Sequence, residues 1–324
     1  MVSWAIAVIL PAAAAYILVF EIDWQEHGSP FSEVRALSLL VPLALYAALS
    51  MLKALRWAIL VGGGLRWRDY YSVSSMHNVC SQLVPLGIGE FSFVYLFGSR
   101  HGLPAGKGLL ALGVGRIFDS VVLLCLCGAV AAVVYGMWPL AIVAAAVIVA
   151  VGILTGPLAR RSAPLAGRLA ARCRRSTSRI LSAAAAPLDH AREALEAGLR
   201  GWRVLGVTVA SLLLIAAFTA TLTRAFVPEA PWGPVIVASM LVPLGTVIPL
   251  RGFGGFGNIE GLWAGAFHLL MGMPLERGFA VGLGMHVVML VLALGSGLIG
   301  FGAGRVGEPK RFDTGAGGGT ISSV

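Results

Sequence analysis

The chain has 324 residues, of which 58% are hydrophobic and 12% charged, about half the charged share of an ordinary soluble domain. With a mean hydropathy of +0.86 it carries more apolar surface than a soluble domain of this size can hide, so an integral membrane protein is expected. Soluble enzymes, fibrous proteins and disordered chains are excluded, and the apolar runs are too long to be the alternating strands of a barrel. Lys and Arg exceed Asp and Glu by 24 to 15, a net charge of +9. In a membrane protein this excess marks the cytoplasmic side and does not point to nucleic acid. Cys80, Cys125, Cys127 and Cys173 form no metal or disulfide pattern and read as reduced, small hydrophobes.

Residues 4–20 are apolar, with no Lys or Arg before them, and read as a first membrane span. An acidic segment follows, with Glu21, Asp23, Glu26 and Glu33, and then a second span at 36–60 that ends near Lys53 and Arg56. The stretch 72–98 is apolar but interrupted by His77, Asn78, Gln82, Pro85, Gly87, Gly89 and Glu90. Polar groups and helix breakers at membrane depth are tolerated only inside protein or beside water, so a re-entrant or broken helix is expected. Spans at 108–135 and 138–156 come next. Residues 157–203 contain ten arginines and read as a basic cytoplasmic loop that attracts anionic lipid. Within the loop, Leu181, Ala184, Leu188, Ala191, Leu195 and Leu199 recur at helical spacing, which predicts an interfacial amphipathic helix kinked at Pro187. A span at 204–226, a second interrupted stretch at 234–272 and a last span at 279–303 complete the membrane part. The tail 305–324 is Gly-rich and polar and is expected to be disordered.

The fold expected is an all-α, multi-pass membrane protein with about six full spans and two re-entrant segments. Counting crossings outward from the basic loop places every basic cluster and both termini in the cytoplasm. The crossings also divide the chain into two halves, 1–135 and 136–304, of opposite orientation: an inverted 3+3 repeat. A fixed offset of 170 residues supports this division. Gly87 matches Gly257, Glu90 matches Glu260, and Phe97 matches Phe267. Gly102, Pro104, Lys107 and Gly108 match Gly272, Pro274, Arg277 and Gly278. Trp24, Trp138 and Trp232 fall at predicted outer boundaries, as in an aromatic belt.

Glu90 and Glu260 are the main candidates for chemistry. Each lies in a Gly-rich break, where a carboxylate must be paired, protonated or wet. They fit either a polar wall of a substrate cavity and a coupling site, or caps on backbone amides at a helix break. Arg116 and Asp119 share one helical face and fit either a structural ion pair or a phosphate contact. Arg251 precedes the second Gly cluster and is suited to an anion or to Glu260. His77, Asn78 and Asn258 add polar groups to the same two segments. Pro85, Gly87 and Gly89 break the first segment, and Pro249, Gly252, Gly254, Gly255 and Gly257 break the second. Half-helix N-termini at such breaks attract anions. His286, offset by 170 from Arg116, and His268 read as packing residues. No nucleophile, metal or nucleotide motif is legible, and no cofactor is called for.

Asn78-x6-Pro85-x-Gly87-x-Gly89-Glu90, then Arg116-x2-Asp119, then Pro249-x2-Gly252-x-Gly254-Gly255-x-Gly257-x2-Glu260 resemble the flippase-like family. This family includes the transmembrane domain of bacterial lysylphosphatidylglycerol synthases and standalone relatives. The likeness spans roughly 35–303. In bifunctional relatives a soluble domain makes the aminoacyl lipid and the membrane domain flips it. The soluble domain is absent here, so the resemblance implies lipid translocation without synthesis, in a bacterial-type inner membrane. The expected activity is movement of a membrane lipid or lipid-linked intermediate through a groove between the repeats, driven by protons or downhill. The alternatives are an accessory scaffold of a lipid or envelope pathway and an intramembrane lipid-modifying enzyme. The sequence sets no oligomeric state.

Overall fold

The computed structural model describes residues 31, 34–176, 178–196, 201–245 and 253–305. The expected span at 4–20, Trp24, the acidic residues Glu21, Asp23, Glu26 and Glu33, residues 197–200 with Leu199, residues 246–252 with Pro249, Arg251 and Gly252, and the tail beyond Arg305 lie outside the described residues. Among the described residues every regular element is helical. The elements are α1 (Leu40–Val61, entered through a 3-10 turn, Ala36–Leu39), α2 (Trp67–Leu83), a 3-10 turn Pro85–Phe91, α3 (Ser92–His101) and α4 (Ala105–Val134). Then come α5 (Trp138–Arg174), α6 (Arg179–Ala183), α7 (Ala185–Glu196), α8 (Gly201–Phe226), α9 (Trp232–Gly245), a 3-10 turn Phe253–Gly255, α10 (Asn258–Met271) and α11 (Leu275–Arg305). Among the described residues five segments are long and apolar enough to cross a membrane: Ala36–Val61, Ala105–Val134, Trp138–Arg174, Gly201–Phe226 and Leu275–Arg305. Trp138 and Trp232 are exposed and begin α5 and α9.

The first interrupted stretch is a helix–turn–helix unit, and the described part of the second holds α9, the turn Phe253–Gly255 and α10. α2 is polar for membrane depth, and Asp69, Ser72, Ser74, Ser75 and His77 along it are buried. It is covered by protein because α11 lays a glycine stripe along it. A Cβ at Gly300 would lie 2.8 Å from Ser75 Cβ, and Gly297 and Gly304 abut Val79 and Ser72. Close helix approach through small residues is how polar side chains are kept from lipid. The two 3-10 turns approach each other, and α2 also reaches the second turn.

The local geometry repeats at the 170-residue offset. α3 and α10 end on left-handed glycines, Gly102 (φ 70°) and Gly272 (φ 66°). Their N–H groups donate to Gly98 and His268 carbonyls, each at 3.0 Å, and the next residues, Leu103 and Met273, donate to Phe97 and Phe267. Such paired bonds are the usual glycine-closed helix end. Phe97 and Phe267 are both fully buried. Then Pro104 and Pro274 start α4 and α11, and Gly108 and Gly278 donate back to the two proline carbonyls at 3.1 and 2.9 Å.

The basic segment 157–203 differs from the expected loop. α5 continues through Pro157 and Pro164 to Arg174. An interior proline loses a backbone hydrogen bond, but a small-residue face carries the helix on. Gly152, Ala159, Ala163 and Ala170 are buried, and α5 packs on α7 and α8. At about 1.5 Å per residue its 37 residues outrun the roughly 30 Å hydrocarbon layer, so α5 carries its arginines beyond the membrane. Of the expected amphipathic stretch, the described residues are helical up to Glu196, with the break at Ala184, between α6 and α7. Pro187 sits in the first turn of α7, where a missing N–H costs little.

Candidate functional site

The first broken segment, α1 and α4 together build a polar cavity of about 250 Å3. α1 contributes Lys53 and Arg56, three residues apart on one face. α2 contributes His77 and Asn78, the 3-10 turn contributes Glu90, and α4 contributes Arg116 and Asp119. Ser211 and Ile215 of α8, Pro243 of α9, Ile259 of α10 and Met289 of α11 complete the wall. Three cations thus face two carboxylates.

Arg116 and Asp119 do not pair with each other as the spacing allowed. Arg116 Nη2 pairs with Glu90 Oε2, and Asp119 Oδ1 with Arg56 Nη1. A basic residue N-terminal to its acidic partner is the weaker orientation on a helix, and both have cross-helix partners within reach. The Arg116 side chain keeps 49% of its accessible surface, so it is paired and still presented. Arg56 is buried, with its guanidinium 5.0 Å from the Trp57 ring centre. Lys53 Nζ donates to Asn78 Oδ1 at 2.9 Å, and Asn78 Nδ2 donates to the Tyr46 hydroxyl at 3.2 Å. His77 Nε2 lies 3.6 Å from Glu90 Oε2. Its other nitrogen is 3.0 Å from Ser92 Oγ, and Trp57 and Phe93 flank the ring.

The turn that aims Glu90 depends on its small residues. Pro85 begins it, where its missing N–H is harmless, and Gly87 has φ +71°. A Cβ at Gly89 would overlap the Cys80 carbonyl, so only glycine lets the turn close down on α2.

The second segment is arranged differently. Glu260 is fully buried and is not among the cavity-lining residues. Its Oε2 accepts the Gly257 N–H at 2.7 Å, and its Oε1 lies 2.6 Å from His286 Nδ1. It therefore caps α10 from within, and the expected anion-attracting N-terminus already holds a carboxylate. Gly254, Gly255 and Gly257 all have positive φ and shape this turn. Asn258, half-buried, opens α10 and does not line the cavity. Of Glu90, Glu260, Arg116 and Arg251, the residues expected to line one groove, Glu90 and Arg116 line this cavity, Glu260 does not, and Arg251 lies outside the described residues. His286 is a partner of Glu260 and not merely a packing residue. Each glutamate contacts the residue 26 positions after it, Arg116 or His286.

Sequence reasoning named His77, beside Asn78, as a polar group of the first broken segment but left out Lys53 and Arg56, which looked like the cytoplasmic end of an apolar run. The usable signal was two cations three residues apart inside that run, the same spacing as Arg116 and Asp119. Among the described residues no three His, Cys, Asp or Glu side chains converge on a metal site.

No curated protein and no solved structure matches the chain. A family profile does match, over residues 2–297, nearly the whole length. The chain belongs to the family described as the lysylphosphatidylglycerol synthase TM region, a family of multi-pass membrane proteins, and the five apolar helices among the described residues accord with that membership.

Proposed function

We propose that this protein moves a lipid or lipid-linked intermediate across the membrane by accepting its polar headgroup in the Glu90–Arg116 cavity. The observation that carries this reading is a cluster of five charged side chains around one cavity, four of them within apolar helices and Glu90 on the turn between α2 and α3. Such a network is costly in hydrocarbon and is useful where a charged group must pass. The ion pairs are exchangeable: a phosphate can take over Arg116 from Glu90 by forming equally good charge-assisted bonds. Family membership favours the same reading. We read the fold as an inverted pair of repeats, 1–135 and 136–304, which would rock about the contact between the two turns. The matched caps and the two Glu-to-partner pairs at the 170-residue offset support that reading. In this account the protein is a transporter without a cofactor and not a lipid-synthesising enzyme. It sits in a bacterial-type inner membrane with both termini cytoplasmic, and the arginines of α5 to α7 rest on anionic lipid.

Reconstitution tests the reading. Vesicles containing the purified protein and a trace of fluorescent phospholipid are exposed to an impermeant quencher, and the rate at which inner-leaflet lipid becomes quenchable is measured. Wild type should speed transfer above protein-free vesicles. Arg116→Gln and Glu90→Gln should return the rate to background, while the neighbouring exposed-face variant Ile117→Ala keeps it. Wild-type rates in both cavity variants would refute the proposal.

A further inference from the structure

The polar cavity holds more positive charge than its own carboxylates neutralise. Lys53, Arg56 and Arg116 line it, and among the described residues Glu90 and Asp119 are the acids that oppose them. Arg56 engages Asp119 and Arg116 engages Glu90. Lys53 is the cation left over. Its ammonium donates to the Asn78 amide oxygen, which satisfies one N–H but not the charge, and among the described residues no carboxylate lies within ion-pair distance of it. Protonation of His77 would add to the excess. An ammonium without a counter-ion at membrane depth is expensive. Two further donors of this cavity have no hydrogen-bond partner among the described residues: the Nε of Arg56, and the hydroxyl of Ser211, a residue 4% exposed. Lys53 and Arg56 share one face of α1, and Ser211 reaches the cavity from α8.

We infer that the cavity binds a small monovalent inorganic anion, chloride in a cell, held by Lys53 with the free donors of Ser211 and Arg56. The inference goes beyond the transport reading and does not rest on it, because the charge excess exists whether or not a lipid passes. One excess positive charge sets the valence at one. Glu90 and Asp119 line the same space and repel a second negative charge, which disfavours sulfate and the phosphate dianion. A spherical ion accepts N–H and O–H donors from any direction, which suits donors that arrive from two helices. A cavity of about 250 Å3 has room for such an ion and several waters, each of which takes about 30 Å3 in the liquid. The ion would keep the cavity neutral while no other anion occupies it.

The purified full chain is dialysed to equilibrium against radiolabelled chloride in sodium gluconate at constant ionic strength, and bound label is counted. Wild type should take up one chloride per chain, saturably. Lys53→Met should weaken binding about tenfold or more, the scale of one lost charge contact, and Lys53→Arg, which keeps the charge, should stay close to wild type. Ser211→Ala should weaken it about fivefold, the scale of one lost hydrogen bond. It removes no charge, so it carries the test if Lys53→Met yields no monodisperse protein. Arg174→Ala, which removes an arginine outside the cavity, should bind like wild type. Unlabelled bromide should displace the label, and sulfate at the same concentration should not. The inference is overturned if wild type shows no saturable uptake, if Lys53→Met or Ser211→Ala binds chloride like wild type, or if sulfate displaces the label as well as bromide does. Lipid transfer is followed in the same preparations. Loss of transfer in Arg116→Gln beside a wild type that binds no chloride would sink this inference alone. Normal transfer in Arg116→Gln beside chloride binding that depends on Lys53 would sink the transport reading alone.

Discussion

Glu90 and Glu260 occupy matched points of two broken segments, and their surroundings have parted. Glu90 faces a cavity and pairs with an arginine that stays half exposed. Glu260 is sealed in, bonded to a backbone amide and to a buried imidazole. An arginine partner keeps its charge in any surroundings and remains a hydrogen-bond fork for an incoming anion. An imidazole partner can share one hydrogen bond in a dry site and offers nothing to a ligand once that bond is made. The comparison teaches that a carboxylate at a helix break serves the fold or the cargo according to its partner and its access to water, even when its position in the chain is equivalent.

The largest effect expected from breaking this comparison is on Glu260. Glu260→Leu leaves the Gly257 N–H and His286 without their acceptor in a dry site. It should cost about 3 kcal/mol or more, read as a collapse in the yield of monodisperse protein and a large drop in melting temperature. Next comes Asp119→Leu, which strands the buried Arg56. A loss of roughly 2–4 kcal/mol is expected by thermal unfolding. Gly89→Ala drives a methyl into the Cys80 carbonyl and should cost about 1–3 kcal/mol. Gly261→Ala in α10, where a Cβ meets nothing within 4 Å, should be neutral or slightly stabilising. Glu90→Gln should shift stability by less than about 1 kcal/mol, because Arg116 is exposed enough to be solvated, and should still abolish lipid transfer. The smallest effect belongs to Arg174→Ala. Its pair with Asp189 lies outside the apolar core and is largely exposed, so melting should move by no more than the equivalent of about 0.5 kcal/mol.

Much of this was legible in the sequence. The all-helical membrane class follows from the apolar runs, and the two helix breaks follow from Pro85, Gly87 and Gly89 and from the second glycine cluster. The offset of 170 residues pointed to the paired caps at Gly102 and Gly272. Glu90, Arg116, Asp119 and Asn78 stood out from their depth in apolar stretches, and all four line one cavity. What could not be read was which groups meet. Arg116 and Asp119 share a face, but that spacing says nothing of Glu90 or Arg56 arriving from other elements. Glu260 looked like Glu90 because burial comes from the packing of α10 on α11, which no local pattern encodes. Lys53 and Arg56 were read as a membrane boundary because a cation near the end of an apolar run looks the same whether it faces water or a cavity. The helical continuation of α5 past two prolines was hidden because the small residues opposite them act through α7 and α8.

Glu90 faces an open polar cavity and Glu260 is sealed inside the fold, and thiol labelling separates the two. Glu90→Cys and Glu260→Cys are placed separately in a chain whose native cysteines are replaced, and the monodisperse fraction is treated with a membrane-impermeant, charged thiol reagent. The account predicts rapid labelling at position 90, slowed by phosphatidic acid, and labelling slower by about tenfold or more at position 260, with no effect of the lipid. Equal labelling rates at the two positions would contradict it.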